Sequence, residues 1–212
     1  MKELLTVRDL TVEIGGNILS RGVTFSLAPG DLLHVVGDNG SGKTTLLRSI
    51  LGYQPFREGT VEFSFPARVG GSVGYLPQRS ESTILPWLSV RENLALGLRL
   101  NSSASRLGEA FLELWSNFIE DRQDLPTEGL SGGERQRLAI LRTFLSCPVL
   151  VLLDEPFREL DYMSVRRLRD FVGIYRERQG GAVILVSHQE VDMGESLRLD
   201  LDKKAERREG VG

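Results

Sequence analysis

The chain predicts an α/β fold, a mainly parallel sheet flanked by helices, with antiparallel β structure at its N-terminus and a helical stretch inserted midway. Three observations carry this. The short apolar runs "LLHVV", "VLVLL" and "AVILV" lack the alternation of a half-exposed strand and read as strands buried on both faces. Segments of helical period separate them. The first 35 or so residues alternate instead, as antiparallel strands do, and stop at Pro29-Gly30-Asp31.

In chain order, "LLTVRDLTVEI" and "ILSRGVTFSL" read as two strands joined by a Gly15-Gly16-Asn17 turn. "LLHVV" follows, then a glycine-rich loop and the helix "KTTLLRSILG", which Gly52 ends. "GTVEFSF" reads as an edge strand and "GSVGYLPQ" as a further one. Between Val90 and about Asp121 the period becomes helical, with Phe111, Leu114, Trp115, Phe118 and Ile119 on one face. Ser131 opens another helix, with Leu138, Leu141 and Leu145 on one stripe and Pro148 beyond its end. "VLVLL", a helix over 163–178 and the strand "AVILVSH" complete the pattern.

The length, 212 residues, suits one domain with a sizeable core. A net charge of −3 gives no global basic field of the kind nucleic-acid binders show. The basic stretches "RRLR" (166–169) and "KKAERRE" read as a solvated helix face and a frayed tail. A single cysteine, Cys147, excludes an intramolecular disulfide, fits a reducing compartment and is expected to be a small buried side chain. The N-terminus lacks the apolar stretch of a signal peptide. The longest aliphatic run, Val149 to Leu153, is far below the roughly 18 residues of a membrane span.

"GDNGSGKTT" at 37–45 matches G-x-x-x-x-G-K-[ST] at every fixed position and lies between a strand and a helix. In this P-loop, Gly37, Asp38, Asn39, Gly40, Ser41, Gly42 and Thr45 supply a backbone that can cradle phosphates. Lys43 can reach the β- and γ-phosphates, and the Thr44 hydroxyl can ligate Mg²⁺. Asp154, ending the strand of "VLVLLDEP", is placed to hold Mg²⁺, and Glu155 beside it to polarise an attacking water. His188 is expected at the same crevice edge, although a lone histidine there is more often a surface or capping residue. His34 reads as a core residue, and Gln78 is uninformative alone.

"LSGGERQRLAI" at 130–140 offers a second anion-binding helix mouth. Taken alone, Ser131 with Glu134 is an S-x-x-E capping box over a glycine-softened loop. One nucleotide has one γ-phosphate, however, and the P-loop already holds it. A head-to-tail pair gives the second mouth a role: Ser131, Gly132 and Gly133 would close on the nucleotide bound by the neighbouring molecule.

Together these motifs resemble the nucleotide-binding subunit of ATP-binding-cassette (ABC) transporters, from Leu4 to about Leu197. The order is the family's: P-loop, glutamine loop at Gln78, signature "LSGGE" at 130–134, "LLDEP" at 152–156, and "SH" at 187–188. The resemblance implies a P-loop NTPase core in a single ABC ATPase domain, with a helical subdomain at about 83–123. It implies ATP and Mg²⁺ as cofactors, Glu155 as catalytic base, and His188 as γ-phosphate sensor. Gln78 would contact Mg²⁺ or the water, and the signature with Glu134 and Asp161 would belong to the nucleotide sites of the pair. The implied partners are a second ATPase subunit, identical or paralogous, a transmembrane permease subunit docking near Gln78 and the helical subdomain, and a solute-binding protein. The implied location is the cytoplasmic face of the membrane. In "ILPWLSVRENL" at 84–94, exposed Trp87 and Leu88 are expected near the docking groove.

Three positions depart from the family. Ile14 stands where an aromatic residue commonly stacks on adenine, and its aliphatic side chain can still pack on the purine; "FRELD" at 157–161 replaces "TSALD" but keeps Asp161; and Glu134 replaces glutamine. A non-transport ABC ATPase, acting in DNA repair, chromosome organisation or translation, is the alternative. The absence of a long heptad insertion, zinc-type cysteine pairs or a second cassette weighs against it. A regulatory half that binds but does not cleave ATP is a third reading, and intact Lys43, Asp154, Glu155 and His188 weigh against that.

Overall fold

The structure, a computed structural model, describes residues 2–68, 72–99, 115–188 and 191–202. Phe111, Leu114, the side chain of Phe118 and the "KKAERRE" tail lie outside the described residues.

Strands β1 (Leu5–Ile14), β2 (Asn17–Leu27) and β4 (Glu58–Phe63) form an antiparallel sheet in the order β2-β1-β4. The turn between β1 and β2 uses Gly15 and Gly16 at φ 57° and 84°, left-handed values that glycine adopts without steric cost. A second sheet is parallel throughout: β5 (Val73–Leu76), β6 (Leu150–Asp154), β7 (Ala182–Val186), β3 (Leu32–Val36) and β8 (Leu197–Asp200), in the order β5-β6-β7-β3-β8. Strand β8 is an element the sequence reading did not include. Its "LRLD" is short and mostly exposed, with Leu199 its buried residue, so it carries little apolar signal.

Among the described residues the α-helices are α1 (Lys43–Ile50), α2 (Val90–Arg99), α3 (Ser116–Arg122), α4 (Gly132–Leu145) and α5 (Tyr162–Gln179). The apolar runs bury both faces of the parallel sheet, as continuous hydrophobic strands must. Leu150, Leu152, Ile184 and Val186 face a core shared with α1 and the antiparallel sheet. Val151, Leu153, Val183 and Leu185 face the opposite core, shared with α4 and α5. There Phe144 packs edge-on against Phe171 and Tyr175, at centroid distances of 5.0 and 5.2 Å. The buried Tyr175 hydroxyl donates to Pro148 O at 2.6 Å, and burial pushes its pKa up.

Cys147 is half-buried rather than buried, because it turns the chain between α4 and β6 at φ 47°. Among the described residues, no helix is long and apolar enough to cross a membrane.

Candidate functional site

In a parallel sheet, ligands gather at the carboxyl ends of the strands. The loop from β3 to α1, the end of β6 and the end of β7 converge there around a cavity of about 300 Å³. Leu19, Lys43, Thr44, Gln78, Asp154 and Glu155 are among its lining residues, together with Asn39, Gly40, Gly42 and Thr45. A larger open cleft of about 580 Å³, lined by Pro29, Gly30 and Arg176, lies at the opposite ends of the strands. Arg176 already donates to Gly30 O and Glu195 O there, at 2.8 and 2.9 Å.

Gly37, Gly40 and Gly42 adopt φ 151°, 89° and 93°. Gly37 and Gly42 have no room for a side chain: a Cβ would come 2.6 Å from Ser41 Oγ at the first and 2.8 Å from Leu19 Cβ at the second. Gly42 also stands at the N-cap of α1, and no side chain caps that helix. The first N–H groups of α1 therefore stay open to an anion. Lys43 is 8 % exposed and donates from Nζ to Gly37 O and Asp38 O, both at 2.7 Å, folding over its own loop. The Asp38 N–H donates to Asp202 Oδ2 at 2.8 Å, so the segment after β8 fastens the loop from outside. That contact spans 164 residues, and no local sequence signal announces it.

Asp154 ends β6, is 1 % exposed, and among the described residues has only the Thr44 hydroxyl beside its carboxylate, without a well-formed hydrogen bond. Burial raises its pKa, with the Thr44 hydroxyl pulling the other way and Glu155 adding to the rise. A buried carboxylate without a well-formed hydrogen bond, next to a threonine hydroxyl, is a donor set of hard oxygens that suits Mg²⁺.

Glu155 turns out of β6 at φ 52°, a left-handed value, and its N–H donates to Val186 O at 2.9 Å. Its Oε2 meets His188 Nδ1 at 2.7 Å, and the His188 N–H at 3.4 Å. A carboxylate only accepts, so Nδ1 carries the proton of this contact. His188 follows β7 by two residues, and its side chain is 60 % exposed. His34 is half-buried on β3, and burial lowers its pKa, consistent with a core residue.

The remaining predicted residues lie elsewhere. Ile14 ends β1, 46 % exposed, and is not among the cavity-lining residues. Ser131 caps α4 in a complete capping box: its Oγ accepts from the Glu134 N–H at 3.3 Å, and its own N–H donates to Glu134 Oε2 at 2.8 Å. Arg122 donates to the other Glu134 oxygen at 3.1 Å. Asp161 caps α5, accepting from the Ser164 N–H at 2.8 Å. Neither Ser131, Gly132 nor Gly133 lines the P-loop cavity.

Gln136 was not anticipated. Buried on α4, its side chain accepts from Ser80 Oγ, two residues past Gln78, and donates to Pro156 O at 2.8 Å. It thereby ties the signature helix to the loops after Gln78 and after Glu155. Its polar character within an otherwise apolar stripe was the available signal. Gln136→Leu is expected to destabilise the protein by about 1–3 kcal/mol, read from denaturant unfolding, because Ser80 Oγ and Pro156 O lose a buried partner.

The family model described as ABC transporter matches residues 20–158. The zinc import ATP-binding protein ZnuC of Magnetococcus marinus is 37 % identical over 87 % of this chain and 68 % of its own length. The aliphatic sulfonates import ATP-binding protein SsuB 1 of Paracoccus denitrificans is 34 % identical, over 98 % of this chain and 80 % of its own length. Among solved structures, an ATP-binding subunit of an ABC transporter shares 26 % identity at a TM-score of 0.75, covering 87 % of this chain and 79 % of that one. A dimeric ATP-binding cassette in a post-hydrolysis state, bound to ADP and Pi, has the same fold, with 22 % identity and a TM-score of 0.77 over 93 % of this chain and 94 % of that one. The ordered motifs, the fold and these relatives agree: the chain belongs to the ABC transporter family, as its ATP-binding and ATP-hydrolysing subunit.

Proposed function

We propose that this subunit powers solute import by closing head-to-tail with a second copy or a paralogue around ATP, on the cytoplasmic face of a membrane. The observation that carries the reading is the separation on one chain of two glycine-rich helix mouths, those of α1 and α4. The P-loop cavity takes in no residue of Ser131–Gly133, so the mouth of α4 is left to serve a nucleotide bound by another molecule.

In this reading Lys43 and the N–H groups opening α1 bind the β- and γ-phosphates. Thr44, Asp154 and Gln78 would hold Mg²⁺, which neutralises charge on the phosphates. Glu155 accepts the proton of the attacking water, while His188 holds its Oε2 from one side. Loss of the γ-phosphate removes the group joining the two molecules and releases the pair. Lys43→Ala is expected to weaken ATP binding about 10–100-fold, the worth of a charge-assisted contact, measurable by titration calorimetry.

The membrane subunit would dock beside Gln78 and the segment that follows it. Trp87 is 72 % exposed and Leu125 44 %, whereas Leu88 is half-buried, which leaves Trp87 as the principal apolar anchor. ZnuC and SsuB 1 are import subunits by name, and this favours import with a solute-binding protein upstream. The test is affinity capture of tagged Glu155→Gln from gently solubilised native membranes in ATP and Mg²⁺. A polytopic membrane protein in stoichiometric amount is expected, and Trp87→Glu is expected to lose it while still binding ATP. Only ribosomal or chromosomal companions would overturn the transport reading.

A further inference from the structure

The replacement of "TSALD" by "FRELD" places a carboxylate beside the signature mouth, and the geometry there is specific. Glu159 lies against both signature glycines. A methyl group added to Gly132 would collide with Glu159 Oε2, and one added to Gly133 would come 2.8 Å from Glu159 O. Glu159 adopts φ 64°, a conformation that side chains other than glycine rarely take. Both ends of its loop are fixed: Phe157 is buried in the core, and Asp161 caps α5. The loop therefore holds Glu159 over the mouth.

The surroundings neutralise it only in part: Arg137 Nη1 stands on the Gly133 side of the mouth, 3.9 Å from where a Cβ there would lie, and is paired with Asp161 at 3.5 Å. The ion pair of Glu159 with Arg158 is 4.0 Å long and half-exposed on both sides, and such pairs contribute little. The depression it shares with Gly132 is also lined by Glu81 and Glu128. Arg135, the cation in that lining, donates from Nη1 to Leu130 O at 2.7 Å. Glu134 takes the Ser131 N–H and hydroxyl, both at 2.8 Å. In the head-to-tail reading, the mouth that would take a phosphate thus faces the Glu159, Glu81 and Glu128 carboxylates, with Arg137 engaged by Asp161.

We propose that Glu159 sets the threshold for closure, competing as an internal anion with the γ-phosphate carried by a second copy of this chain. The role rests on the head-to-tail reading above and acts through the mouth of α4, so Glu159 is a positioning residue. Closure must first displace its carboxylate from Gly132 or bring two like charges together, and either weakens the ATP-bound pair.

The test compares dimer dissociation constants by sedimentation velocity in ATP and Mg²⁺, in a Glu155→Gln background that blocks hydrolysis. Adding Glu159→Gln or Glu159→Ala is expected to tighten the dimer about tenfold. Glu159→Asp, a shorter carboxylate, should fall between. The gap between chains with and without the Glu159→Gln change should narrow between about 50 mM and about 500 mM salt, because like-charge repulsion is screened and bulk is not. Equal or weaker dimerisation of the Glu159→Gln chain overturns the role, as does a gap that salt leaves unchanged. If Glu155→Gln alone forms no ATP-dependent dimer, the head-to-tail reading fails and this role fails with it. If it dimerises and Glu159→Gln changes nothing, the role of Glu159 alone fails.

Discussion

Glu155→Gln is expected to cut ATP hydrolysis at least about 100-fold, the usual worth of a positioned general base, while ATP binding persists. Glutamine keeps the size of the side chain, and its amide oxygen can still accept from His188 Nδ1, now 2.7 Å from Oε2. The backbone at φ 52° remains fixed by the N–H bond to Val186 O. What disappears is a group able to take the proton of the attacking water. In the proposed reading the phosphate contacts belong to Lys43 and the start of α1, which the change leaves alone. The variant should therefore collect in the ATP-bound, closed state. Single-turnover hydrolysis with radiolabelled ATP measures the first effect, and size-exclusion chromatography in ATP and in ADP measures the second. Hydrolysis within a few-fold of the parent would remove Glu155 from the role of base. Equal monomer fractions in the two nucleotides would remove the clamp.

How much of this could be read from the chain follows from how local each signal is. The P-loop is nine consecutive residues with its strand and helix attached, so Lys43 and Thr44 could be placed before any coordinates. Asp154 and Glu155 were legible because a buried run such as "VLVLL" must end at a sheet edge. The Gln136 ties and the Asp38–Asp202 contact were not, since each joins segments distant in sequence. Strand β8 escaped because its exposed residues give it no hydrophobic pattern. The departure at Glu159 could be seen, but its meaning needed the left-handed φ that turns it onto Gly132. The capping box of Ser131 and Glu134 formed as the local pattern predicts, and a capped helix mouth does not by itself reveal whether a phosphate also uses it.

Asp154→Asn is expected to move stability and activity in opposite directions. Without nucleotide, Asp154 is a carboxylate 1 % exposed that makes no well-formed hydrogen bond among the described residues, and burial raises its pKa against the smaller pull of the Thr44 hydroxyl. A carboxyl group whose folded pKa lies above its unfolded value costs stability at neutral pH, where it is ionised in both states. The cost fades as pH falls through the raised folded pKa and is gone below the unfolded one. Asparagine has the same shape and no charge, so the nucleotide-free variant should melt higher, by about 2–4 °C for each kcal/mol relieved. The gain should be largest at neutral pH and shrink on acidification, which differential scanning calorimetry across pH can follow. Hydrolysis should fall at least about 100-fold, because a neutral amide is a poor ligand for Mg²⁺ beside Thr44. Mg²⁺ should also no longer raise the melting temperature of the ATP complex beyond that of ATP alone. A variant that melts lower without nucleotide would mean that Asp154 supports the apo fold. A variant that melts higher and hydrolyses normally would mean that the metal is held by other residues. The expected pair of effects identifies Asp154 as a charge kept at the cost of stability for the sake of the bound cation.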